Sequence, residues 1–239
     1  MVARSLLRGL LRGAGWRLGQ SAEDIYSEPA VFLVQHHNMS GPIHSLGLLP
    51  DSVHVWALSS LFSCGDCFEQ YYGYTFTKRY GWPRPLALPA AAAGACVVPW
   101  LMRAIGAVPV YRGKREILET MEESVRLLHD GESLLICPDK DYSSQKDEIG
   151  EIYTGFLHLE KLYWRDTGRH LAFIPLCVDR QKKRITAAEP LFFAGTGRFK
   201  EEQRQMEERL MVSFRRLECR RQMQGLPEKL PAGNSPDHR

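Results

Sequence analysis

The sequence predicts an α/β fold, a mostly parallel or mixed sheet flanked by helices, and two observations carry that prediction. Runs rich in β-branched and aromatic residues recur along the chain, and segments with apolar residues at three- and four-residue spacing separate them. Strands that alternate with helices of this kind build parallel sheets covered on both faces. The chain is also long enough: 239 residues, 44% hydrophobic and 25% charged, suit one sizeable domain with a real core.

The first twenty residues carry Arg4, Arg8, Arg12 and Arg17 and no acid, so residues 1–24 read as an amphipathic N-terminal segment. On a helix, Leu6, Leu7, Leu10, Leu11 and Ala14 share one arc beside an arginine arc, the pattern of a helix lying in a membrane surface. Arginine at every fourth residue breaks any secretory apolar core. The domain proper is expected over 25–224. Its strands are expected at Ala30–Val34, Val53–Leu58, 107–111, 133–137, 172–178 and 184–188. Leu118, Met121, Val125 and Leu128 mark one helix, residues 152–164 another, and Met206, Leu210, Phe214 and Leu217 the inner face of a charged helix at 199–223.

Residues 178–185 read as a hairpin, which makes the far end of the sheet mixed; its Arg180, Lys182, Lys183 and Arg184 read as a solvated turn. The stretch 82–105 approaches the length of a membrane span, yet Pro85, Pro89 and Pro99 and an alanine-rich middle argue instead for helix lying against a bilayer. After Gly225 the tail, 225–239, has little to bury and reads as disordered.

Formal net charge is +3, which does not call for nucleic acid as a partner. Six cysteines are scattered, as in a reducing compartment. Cys64 and Cys67 have redox or half-zinc spacing, but no second pair completes a metal site, and none is expected.

Three expected strands end in polar turns: Gln35-His36-His37-Asn38-Met39-Ser40-Gly41-Pro42, then Tyr111-Arg112-Gly113, then Cys137-Pro138-Asp139-Lys140-Asp141. In a parallel sheet all three turns gather at one edge, where α/β proteins bind ligands. That gathers a possible base, a guanidinium suited to phosphate, and an acidic loop.

These blocks, in this order, resemble the lysophospholipid acyltransferases, the 1-acylglycerol-3-phosphate acyltransferase family, over about residues 25–193. The family's first block is Asn-His with an Asp five positions after the His. Aligning on Pro42 places His36 at the catalytic His and Gly41 at the Asp; aligning on His37 puts Pro42 there, so neither register restores the pair. Gly106-Ala-Val-Pro-Val-Tyr-Arg112 matches the second block, Cys137-Pro138-Asp139-Lys140 matches the third in part, and Phe173-Ile174-Pro175-Leu176 fits the fourth.

The resemblance implies a glycerolipid acyltransferase-like fold and transfer of a fatty acyl group from acyl-CoA or acyl carrier protein to a lysophospholipid. No bound cofactor is implied. His36 is the implied general base; Arg112, Asp139, Lys140 and Asp141 bind substrate; His37 and Asn38 support His36. The implied location is the cytoplasmic face of a membrane, peripheral or monotopic. Gly41 keeps two alternatives open: a catalytically silent phospholipid-binding module, and an acyl-ester hydrolase with Ser40 as nucleophile. No Gly-x-Ser-x-Gly elbow supports the latter.

Overall fold

The architecture is that of a computed structural model, which describes residues 2–19, 28–111, 113, 115–141 and 149–223. The strands are β1 (Arg17–Leu18), β2 (Ala30–Val34), β3 (Val53–Leu58), β4 (Val108–Val110), β5 (Ser133–Ile136), β6 (Ala172–Asp179) and β7 (Arg184–Ala187). They form one seven-stranded sheet in the order β1-β7-β6-β2-β5-β3-β4. All neighbours pair in parallel except β6 and β7, the expected hairpin. The α/β class and the mixed far end are therefore as the sequence predicts. The short β1, which the pattern did not announce, adds to the β7 edge.

The helices are α1 (Val2–Gly13), α2 (Ser40–Leu48), α3 (Cys64–Glu69), α4 (Arg84–Ala104), α5 (Ile117–His129), α6 (His158–Thr167) and α7 (Phe199–Met223), with a π-helical segment at Gln70–Arg79. β2 is buried at all five positions because both its faces are covered. Val31 and Leu33 point into a core shared with Leu128, Leu159, Leu210 and Phe214 of α5, α6 and α7. Ala30, Phe32 and Val34 face the opposite core, closed by Leu46 and Leu48 of α2 and by Trp16.

Helix α6 begins later than its apolar pattern suggests. Tyr153 donates its N–H to Pro138 O (2.7 Å) and Lys140 to Glu151 O (3.0 Å), which pins residues 151–153 beside the loop after β5. A short 3₁₀ turn at Gly155–Leu157 then leads into the helix. At its far end Gly168, at φ 68°, supplies the left-handed cap.

Helix α1 divides its leucines. Leu7 and Leu11 fill the space over Gly47 of α2, where a Cβ would sit 2.5 Å from Leu11 Cδ1. Leu6 and Leu10 stay exposed. The buried Arg4 donates to Pro50 O (2.6 Å), Val53 O (2.7 Å) and Asp51 O (2.9 Å), while Arg8 pairs with Asp51 at 2.7 Å. A guanidinium leaves water only where its fork finds such acceptors, so Arg4 fastens α1 to the domain. Residues 20–24 and the tail 225–239 lie outside the described residues.

Candidate functional site

The C-terminal end of β2 delivers Gln35 and His36 to the edge where parallel strands present their loops. The chain then reverses through three consecutive residues of positive φ, His37 at 44°, Asn38 at 52° and Met39 at 72°. Asn tolerates this region; His and Met do so at a cost of order 1–2 kcal/mol each. The reversal starts α2 directly against the strand end. There Gly41 is required by proximity: a Cβ would lie 1.8 Å from Gln35 O and 3.3 Å from Val34 Cγ2. The position that would carry the family's Asp has no room for any side chain.

The neighbouring strand supplies a carboxylate instead. β5 pairs with β2, and Asp139, just past its end, accepts the backbone N–H of His36 at 2.7 Å. Burial pushes the Asp139 carboxyl up to about 6, against the His36 N–H, which pulls it down, and with the nearby Asp141 charge adding to the rise. The ring of His36 accepts the Met39 N–H at Nδ1, at 3.2 Å. A backbone N–H can only donate, so a neutral ring in this arrangement carries its own proton on Nε2.

The rest of the turn is held by two arginines. Arg79, the last residue of the π-helical segment, donates to Asn38 Oδ1 at 2.8 Å. Arg180, from the β6–β7 turn, contacts His37 Nε2. His37 thus works as an acceptor there. Behind the turn lies a cavity of about 30 Å³ lined by His37, Ser40, Cys177, Arg180 and Glu218 among others. That volume suits a water molecule and is far too small for an acyl chain.

The remaining expected residues are spread out. Lys140 is exposed and paired with Glu151 at 2.8 Å, over the Tyr153 ring at 6.0 Å. Asp141 is exposed beside it. Arg112 lies outside the described residues. The strand before it, β4, is the sheet edge, three places from β2, or roughly 14 Å at ordinary strand spacing. His36 and Asp139 are therefore brought into contact, whereas β4, the strand before Arg112, is separated from β2 by two intervening strands. Among the described residues no group of three His, Cys, Asp or Glu could hold a metal ion.

The sequence pattern missed Arg79 and Arg180. Arg180 sat in a basic run that reads as a solvated turn. Arg79 closes the π-helical segment, whose trace in the sequence is the five-residue spacing of Tyr71 and Phe76, whose rings stack at 5.3 Å.

A seven-stranded, mostly parallel sheet flanked by helices gives the chain an acyltransferase-like fold. The chain is similar to a solved structure, the 1-acyl-sn-glycerophosphate (LPA) acyltransferase PlsC from Thermotoga maritima, with a TM-score of 0.51 and 12% identity over 90% of this chain and 79% of that one. No protein-family model and no curated protein sequence matches the chain.

Proposed function

We propose that this protein is an O-acyltransferase that moves a fatty acyl group from an acyl thioester to the hydroxyl of a lysophospholipid such as 1-acylglycerol-3-phosphate. The donor is acyl-CoA or an acyl carrier protein, and the reaction takes place at the cytoplasmic face of a membrane. The observation that carries the reading is His36, at the end of a central parallel strand, with its backbone clamped by the buried Asp139 from the next strand.

In this reading the His36 ring takes the proton of the acceptor hydroxyl as its oxygen attacks the thioester carbonyl carbon. The tetrahedral intermediate collapses with loss of the C–S bond, and the thiolate leaves with the proton that His36 has held. The Asp139 carboxylate, fixed beside the same residue, favours the imidazolium that forms in between. Arg112 and Lys140 hold the acceptor phosphate, Arg112 as a bidentate fork and Lys140 as a point charge after releasing Glu151. Asp141 bounds the same loop.

A second reading has its own support. The Met39 N–H on His36 Nδ1, together with the closed Gly41 position, favours a phospholipid-binding module without turnover. Labelled acyl-CoA and a panel of lysophospholipids decide between them. The acyltransferase predicts labelled diacyl product, reduced by about two to four decades in His36→Ala. Lysophospholipid binding with no product in the native protein establishes the silent module instead. Free fatty acid released without acceptor means a hydrolase.

A further inference from the structure

Between β3 and β4 the chain leaves the sheet as an arm of α3, the π-helical segment and α4. Its Lys78, Arg79, Arg84 and Arg103 outnumber its acids, Asp66 and Glu69, and no Asp or Glu lies between Gln70 and β4. Helix α4 turns one stripe, Ala87, Ala91, Ala95 and Pro99, into the arm, where Gly94 meets the Tyr71 ring. Its opposite face is apolar: Leu86, Val97 and Trp100 are between 57% and 64% exposed. A surface helix ordinarily turns charge outward, so this face is built for an apolar partner. Trp82 and Tyr80 stand exposed at the start of the helix, with Arg84 at one end and Arg103 at the other, the order in which aromatic and basic residues meet a bilayer interface.

We propose that the exposed face of α4 lies flat in the interface of an anionic bilayer. The helix is long and apolar enough to cross a membrane by length and composition alone. Spanning would carry the segments packed on its inner stripe, with Asp66, Glu69, Lys78 and Arg79, into hydrocarbon. Flat docking leaves those charges in water and brings Arg84 and Arg103, at the two ends of α4, to the anionic headgroups. Because Arg79 ties the arm to Asn38, the docked pose holds the His36 turn beside the interface, with the exposed Met39 next to it. The proposal deepens the membrane location in the function above but does not depend on turnover.

The test is flotation of the full chain with preformed vesicles, either phosphatidylcholine alone or with about a third phosphatidylglycerol. Native protein is expected to float with the anionic vesicles at least about tenfold better, and to lose that preference in about 1 M salt. Val97→Glu and Trp100→Glu are expected to weaken binding by about tenfold or more each, whereas Val212→Glu, at a half-exposed position of α7, does not. Circular dichroism and melting show that each variant is folded. Ala93→Trp puts a fluorophore at an exposed mid-helix position, where the flat pose predicts quenching by lipids brominated near the headgroup. Quenching that is strongest near the chain methyls means a span and overturns the flat pose. Unchanged binding of both Glu variants overturns the assigned face. No vesicle binding, with native dimers that become monomers in Trp100→Glu, makes the face an interface between copies. Docking without acyl transfer refutes the acyltransferase and leaves the surface standing; transfer to a soluble short-chain acceptor without docking does the reverse.

Discussion

Restoring the acyltransferase carboxylate by Gly41→Asp is expected to damage the protein. Gly41 sits in the first turn of α2 with helical backbone geometry, so nothing about its own φ calls for glycine. On that ground alone, Gly41→Ala would stabilise by about 0.4–1 kcal/mol, and an Asp near a helix start by a similar amount. The close approach reverses the sign. A Cβ 1.8 Å from Gln35 O must move by more than an ångström, and the obstacle is backbone at the end of the fully buried β2. Overpacking of that kind costs about 1–3 kcal/mol, and more where the neighbour is rigid. At the upper figure the melting temperature falls by about 6–12 °C for a domain of this size. Thermal melts of native, Gly41→Ala and Gly41→Asp, with acyl transfer measured on the same samples, provide the assay. Both variants should melt lower, with Ala carrying most of the loss because the Cβ alone creates the clash. A Gly41→Ala protein that melts at or above the native temperature refutes the reasoning.

Three further outcomes follow from the same geometry. Asp139 has its folded pKa raised to about 6 from an ordinary 3.8, so folding favours its neutral form: its contribution is most favourable below about pH 4 and becomes a cost of roughly 3 kcal/mol as pH rises past 6. Asp139→Asn, which can still accept the His36 N–H, should therefore be more stable at pH 7 and lose stability less steeply between pH 4 and 6 in urea titrations. Arg4→Ala strands the carbonyls of Pro50 and Val53 and should cost about 3 kcal/mol, read as a lower melting temperature, with Arg4→Lys intermediate because an ammonium lacks the fork. Phe214→Ala, at a position 2% exposed, should cost about 3–5 kcal/mol by denaturant unfolding, while the half-exposed Val212→Ala on the same helix should change little.

How legible each element was depended on whether its signal was local. β2 announced itself because a strand buried on both faces is apolar at every position, and the 178–185 hairpin because a polar run separates two apolar ones. Met206, Leu210, Phe214 and Leu217 are all buried, as their spacing predicts. Leu118 shared the spacing of α5 yet is 58% exposed, because the buried face of that helix runs through Ile117, Met121, Val125 and Leu128 and leaves Leu118 to one side. Strand order had no local signal. Three polar turns at one edge can be adjacent or distant, and only the order β2-β5-β3-β4 shows that the strand before the Asp139 loop adjoins β2 while the strand before Arg112 stands two strands further out. The need for Gly41 was likewise invisible, since it comes from a carbonyl six residues earlier folded back by three left-handed residues. That Gly marks a departure from a motif was legible; that it is the only residue the turn can accept was not.

The displaced carboxylate narrows what Gly41 costs the chemistry. In the family pattern the Asp faces the ring of its His, whereas Asp139 grips the His36 backbone and leaves the ring to the Met39 N–H. Freeing His36 Nδ1 for an acceptor hydroxyl means breaking one bond of 3.2 Å, at the long end of the normal range and worth about 0.5–1.5 kcal/mol, which is at most about a decade of rate. Loss of the orienting carboxylate in a serine-protease triad costs about four decades. The tautomer contact is therefore the smaller obstacle. The larger one is whether negative charge sits near enough to stabilise the imidazolium, and Asp139 is the buried group placed to supply it. If it does, Asp139→Asn gives a protein that is more stable and slower at once, because the ionised carboxylate that folding disfavours is the one the proton transfer uses.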